Sequence, residues 1–270
     1  MHAMFFPSIL LLFALLTLPL AAQPSEDGDI FARNGVEGCF VICPVDADDC
    51  DRLNADRCGE RFIPASTFKI LNSLIALESG AVKSTEDVLK WDGRTHRIRS
   101  WNQDQDMANA FQRSCVWFYQ ELARRIGSDR MQQYVNASDY GNADISGGID
   151  RFWLDGALRI SCDEQIALLR KLWKDALPFR AEVQRTVRQL MVLEHGDGYV
   201  LSGKTGLGDI DGTLYGWLVG FIEHEGTPYC YALNIASPSM EMYALAKLRH
   251  RLVRELLTER GLMQGKPNGE

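Results

Sequence analysis

Histidine is scarce in this chain, with five in 270 residues, and the few are scattered. No cysteine pair shows the Cys-x-x-Cys spacing of a structural zinc site, so a metal centre has little to build on. Positive charge is in deficit: 29 Lys and Arg against 36 Asp and Glu leave a net charge of −7. That argues against nucleic acid as the main partner, because phosphate binding needs a basic face. Beyond residue 22 there is no apolar run long enough to cross a bilayer. Internal repeats and low-complexity tracts are also missing, which removes solenoids and disordered tails. What remains is ordinary globular composition, 46% hydrophobic and 24% charged, in a length that suits one large domain or two small ones.

The first 22 residues differ from the rest. Pro7 to Leu20 is almost wholly apolar, and Ala21-Ala22 supplies small residues for cleavage. This reads as a secretory signal peptide over residues 1–22. The flank before it carries His2 but no Lys or Arg, so an uncleaved anchor is the alternative. The expectation is a secreted, soluble protein, periplasmic if the host has two membranes. Seven cysteines fit an oxidising compartment, and their odd number leaves at least one unpaired. The short polar segment between Cys43 and Cys50 suits a local disulfide, with Cys39–Cys58 as a further possibility. Cys115, Cys162 and Cys230 sit in apolar company and read as core thiols.

Periodicity places the elements. Cys39 to Cys43 is a short β-type run. A helical pattern follows Pro64, with apolar residues at Ile70, Leu71, Leu74, Ile75 and Leu77, and stops near Gly80. A second, through Val116, Tyr119, Leu122 and Ile126, is closed by Gly127. Ser161-Cys162-Asp163-Glu164 is a capping-box match before a third, and a fourth runs from about Pro178 to Met191. Then come three strands, Tyr199–Ser202, Leu214–Ile222 and Tyr229–Ala236, with turns short enough to require antiparallel pairing. A final amphipathic helix carries Leu245 to Leu257 and ends at Gly261. The fold class is α/β of the α+β type: an antiparallel sheet flanked by helices, with an inserted, mainly helical part. One domain over residues 23–270 is expected, its sheet from about 29–63 and 193–270 and its helical part from about 64–192. The strand near Tyr229 offers an edge that could pair with another copy, and the oligomeric state stays open.

Three short motifs carry chemistry. Ser66-Thr67-Phe68-Lys69 puts a hydroxyl and an amine on one face of a helix, three residues apart. Serine is a poor nucleophile near neutral pH without a neighbouring base. A lysine on a buried helix loses its proton more readily, because burial disfavours the charged form. Lys204-Thr205-Gly206, after a strand, offers a cation, a hydroxyl and backbone N–H groups, the parts that hold a carboxylate and an oxyanion. Ser114-Cys115-Val116 offers a second hydroxyl, whose plain reading is a helix N-cap.

In this order the three motifs resemble the serine penicillin-recognising superfamily, with S-x-x-K and a later K-T-G. Tyr140-Gly141-Asn142, Phe152-Trp153-Leu154, Trp101-Asn102-Gln103-Asp104-Gln105 and Ser114-x-Val116 narrow the resemblance to the class D β-lactamases, and it covers nearly the whole chain from Cys39 onward. The resemblance implies a β-lactam hydrolase acting on small-molecule penicillins and their relatives through a Ser66 acyl-enzyme. It implies no separate cofactor and no metal, but a carbon dioxide-derived carbamate on Lys69, steadied by the Trp153 indole. Ser114 would pass a proton to the leaving nitrogen. Backbone N–H groups of Ser66 and Leu207, the latter following Gly206, would form the oxyanion hole. Lys204, Thr205 and Arg249 would hold the substrate carboxylate, while Val116 and Leu154 would wall the site or pack in the core. No equivalent of the class A glutamate base is present, which leaves deacylation to Lys69. Two other readings share the motifs: a D,D-transpeptidase, which would give a burst without steady turnover, and a β-lactam sensor domain, which needs membrane helices and an effector domain that this chain lacks.

Overall fold

The computed structural model describes residues 30–264. The segment read as a signal peptide, residues 1–22, lies outside them.

A short helix α1 (Ile30–Arg33) leads into strand β1 (Glu37–Pro44), then β2 (Asp51–Leu53) and α2 (Ala55–Cys58). A 3₁₀ turn, Ala65–Phe68, runs directly into α3 (Lys69–Ser79). There follow α4 (Met107–Gln112), α5 (Val116–Ile126), α6 (Ser128–Ala137), α7 (Cys162–Trp173) and α8 (Ala181–Leu190). The chain closes with β3 (Val192–Gly196), β4 (Tyr199–Ile210), β5 (Thr213–His224), β6 (Thr227–Ser237) and α9 (Met242–Glu259). The strands form one antiparallel sheet in the order β2-β1-β6-β5-β4-β3. The two ends of the chain thus build the sheet, and the helical stretch between β2 and β3 is the insertion that the periodicity anticipates.

The period of two along each strand sorts side chains to two cores. Phe40, Ile42, Leu218, Ile222, Tyr231, Leu233 and Ile235 face one side, where they meet Leu245, Leu252 and Leu256 of α9. Val41, Val219, Phe221 and Ala232 face the other, which α7 and the helical part cover. β5 and β6 are therefore buried on both faces and read as near-continuous apolar runs.

Local signals behave as physics requires. Ser161 accepts from the Glu164 N–H while Glu164 reaches back to the Ser161 N–H, a complete capping box on α7. Gly80 takes the left-handed conformation, φ 72°, that ends α3. The Cys43–Cys50 disulfide is present.

Other expectations are corrected. Cys39 and Cys58 form no disulfide; both are buried free thiols, and Cys39 Sγ lies 3.5 Å from Cys162 Sγ. Tyr229 is not on an edge: β6 is flanked by Pro44 of β1 and Ile222 of β5, so that route to pairing with another copy is closed. The sheet's edges are β2 and β3. β4 runs eight residues past Ser202, through the Lys204-Thr205-Gly206 motif, because β5 stays paired with it as far as Ile210. β3 reaches only to Ser202, so from Lys204 onward the other edge of β4 has no strand partner among the described residues. Among the described residues no helix is long and apolar enough to cross a membrane.

Candidate active site

The 3₁₀ turn that carries Ser66 is wedged against β4. Ile63 is held by a bond from Trp217 Nε1 to its carbonyl, 2.9 Å. A Cβ at Gly206 would come within 2.9 Å of the Pro64 carbonyl oxygen, so glycine is what lets the two backbones approach. Ala65 takes φ 47° and Ser114 takes φ 53°, left-handed values that cost a non-glycine residue roughly 1–2 kcal/mol. Each of the two hydroxyls facing the cleft thus sits on or beside a strained residue. Beneath the turn, Thr67 Oγ1 donates to the Pro64 carbonyl at 2.8 Å and accepts from buried Gln165 Nε2 at 3.0 Å.

Lys69 Nζ is 2.6 Å from Ser66 Oγ. The lysine is fully buried, among Tyr119, Cys115 and the α3 core, and has no carboxylate partner among the described residues. Burial pushes its pKa down to about 7, so a large share of the amine is neutral at physiological pH. Trp153 is also fully buried and stacks on Phe68, the residue before Lys69, at 5.4 Å between rings. Its Nε1–H has no hydrogen-bond partner among the described residues. A buried orphan donor costs roughly 1–3 kcal/mol, so it marks a place suited to an acceptor.

Ser114 is not the N-cap of α5. Cys115 takes that position without a side-chain cap, and Ser114 turns its hydroxyl to Lys204, whose Nζ donates to Oγ at 3.1 Å. Lys204 Nζ also lies 3.2 Å from the Thr205 carbonyl. Burial pulls its pKa down, with Lys69 and Arg249 adding repulsion. Arg249, on α9, donates from Nη1 to the Gly206 carbonyl. Its largely buried guanidinium, lowered to about 10 by desolvation, keeps Nε without a partner among the described residues. It is therefore no ordinary exposed base.

These groups meet in one cleft of about 1030 Å³, lined by Ser66, Ser114, Val116, Lys204, Thr205, Leu207 and Arg249, among others. Lys69, Trp153 and Gly206 are not part of the lining: the first two are fully buried, and the Gly206 carbonyl accepts from Arg249. Leu154 packs half-buried against the helical core instead of lining the cleft. Glu241, at the N-cap of α9, is the one carboxylate in the lining. Phe111, Met242 and Tyr243 also line it. Sequence reasoning missed them because the last two reach the cleft from the opposite end of the chain.

The family model for the penicillin-binding protein transpeptidase domain matches residues 18–258. The chain is 36% identical over 263 residues to β-lactamase OXA-48 of Klebsiella pneumoniae, covering 96% of this chain and 98% of that protein. It is 44% identical over 239 residues to β-lactamase OXA-3 of Pseudomonas aeruginosa, covering 87% and 84%. A solved class D β-lactamase from Sebaldella termitidis superposes with a TM-score of 0.85 at 33% identity, over 88% of this chain and 96% of that one. A serine, a buried amine and a K-T-G strand edge in one cleft, together with these likenesses, give the assignment: the chain belongs to the class D serine β-lactamases, hydrolases within the penicillin-binding transpeptidase-domain family.

Proposed function

We propose that this enzyme hydrolyses the β-lactam ring of penicillins and related antibiotics through a Ser66 acyl-enzyme, with Lys69 carboxylated on Nζ as the base for both half-reactions. The observation that carries it is a buried amine 2.6 Å from the Ser66 hydroxyl with no carboxylate beside it. Only a neutral amine attacks carbon dioxide, and burial supplies that state. The orphan Trp153 N–H fits an anionic acceptor, because indole can only donate. When present, the carbamate supplies an anionic oxygen that can take and return a proton.

Ser66 Oγ gives up its proton toward Lys69 and bonds to the lactam carbonyl carbon. The backbone N–H groups of Ser66 and Leu207 are suited to the oxyanion. The ring C–N bond breaks, and the nitrogen takes up the proton that Ser66 gave to Lys69, passed on through Ser114, which Lys204 orients at 3.1 Å, so that Lys69 is free to act again. Water then attacks the ester, loses its proton toward Lys69, and Ser66 leaves with its hydroxyl restored. Lys204, Thr205 and Arg249 hold the substrate carboxylate, and Val116 lines the wall. The apolar leader at residues 1–22 supports export, with the periplasm as a compartment where the Cys43–Cys50 disulfide persists.

The test is pH and bicarbonate. A lysine with its pKa lowered to about 7 is neutral above that pH and protonated below it. Steady-state hydrolysis of benzylpenicillin should therefore fall as pH drops through about 7, and acid-treated enzyme returned to pH 7.5 should regain activity faster with added bicarbonate. Activity indifferent to bicarbonate, with no ¹³C carbamate resonance from labelled bicarbonate, refutes the carboxylated base.

A further inference from the structure

Five large apolar side chains are exposed among the described residues, and four of them, Ile98, Leu193, Met242 and Tyr243, rim the mouth of the active-site cleft. Water-exposed apolar groups scattered singly need no explanation, but four around one opening mark a binding surface. Tyr243 is 71% exposed, so most of its ring is free to stack on a ligand. Cations stand at the same mouth. Arg97 and Arg113 line the mouth, and Lys247 Nζ lies 4.4 Å from the Tyr243 ring centroid. Arg97 has no carboxylate partner among the described residues; its Nη2 spans the opening to Met242 Sδ at 3.3 Å, and a thioether is a weak acceptor. Against them the lining holds one carboxylate, Glu241.

Resting on the hydrolase reading above, we infer that the mouth is a second subsite, selecting β-lactams whose acylamino side chain carries both an aryl ring and an anionic group next to it. The aryl ring would lie against Tyr243, Met242 and Ile98, and the anion would replace the poor sulfur acceptor on Arg97. An exposed charge pair contributes a factor of about two to five. Two charge relations change sign when Arg97 becomes acidic, one with the anionic and one with the cationic substrate, so a change of about tenfold or more in their ratio is expected.

The experiment measures kcat/KM for α-carboxybenzylpenicillin, benzylpenicillin and α-aminobenzylpenicillin with wild type, Arg97→Glu and Tyr243→Ala. Wild type should prefer the α-carboxy over the α-amino substrate, and 0.5 M salt should compress that preference. Arg97→Glu should lower the ratio about tenfold, and Arg97→Lys should largely restore it. Tyr243→Ala should lower selectivity for benzylpenicillin over 6-aminopenicillanic acid about fivefold. Benzylpenicillin turnover with a ratio that Arg97→Glu does not move overturns this subsite and leaves the hydrolase reading standing. Wild type that turns over none of the four penicillins overturns both.

Discussion

Lys69→Ala is expected to lower kcat for benzylpenicillin by about 10²–10⁴-fold, the range a positioned general base contributes. The loss should be uneven between the half-reactions. Ser66 keeps its place on the strained turn, held by Gly206, Gln165 and Trp217, so slow acylation continues. Deacylation should suffer more, because Lys69 has no carboxylate partner among the described residues to act in its place, and the other basic groups of the lining, Glu241, His96 and His250, are not among the groups acting on it. Intact-protein mass spectrometry should therefore find an accumulated adduct equal to the mass of the intact penicillin. Full turnover by Lys69→Ala would refute the assignment of that amine.

Lys204→Ala is expected to cost about 30- to 5,000-fold in kcat/KM, the effect of deleting one partner of a buried charge contact. Two functions fail together. The substrate carboxylate loses a cation, and Ser114 loses the donor that fixes its hydroxyl at 3.1 Å. A Ser114→Ala variant separates them: it should lower kcat and leave KM near its original value, whereas Lys204→Ala should move both. Identical profiles for the two variants would mean that Lys204 acts only through Ser114. Arg249 explains why the loss is not larger, since its guanidinium lines the same cleft and still offers a cation to an incoming anion.

Much of this site is legible in the sequence, because its chemistry depends on fixed short spacings. Ser66 and Lys69 share a helix face at any i, i+3 offset, and the apolar residues after Lys69 already imply its burial. The capping box at Ser161 and the stop at Gly80 are local, so local residues reveal them. Features that depend on distant partners were not legible. Gly203, Gly206 and Gly208 depress the β propensity of the K-T-G segment, yet β5 holds it as strand to Ile210. Ser114 has the residue type of an N-cap, but Lys204, 90 residues on, takes its hydroxyl. The run at Tyr229 is the last strand in the sequence, which leaves it free to be an edge, and only the return of β1 from the other end of the chain shows it to be central. Leu193 lies in β3, whose Glu194-His195-Gly196 has no apolar alternation to announce a strand. Met242 meets Arg97 across 145 residues of sequence.

The five free thiols, Cys39, Cys58, Cys115, Cys162 and Cys230, are all at 0% exposure, spread from β1 through α7 to β6. An alkylating reagent can touch them only when the packing around them opens. They therefore make a clock wired into the interior. The order in which peptides acquire the label should report which layer comes apart first, and a tightly bound inhibitor should slow every hand of it without any engineered probe.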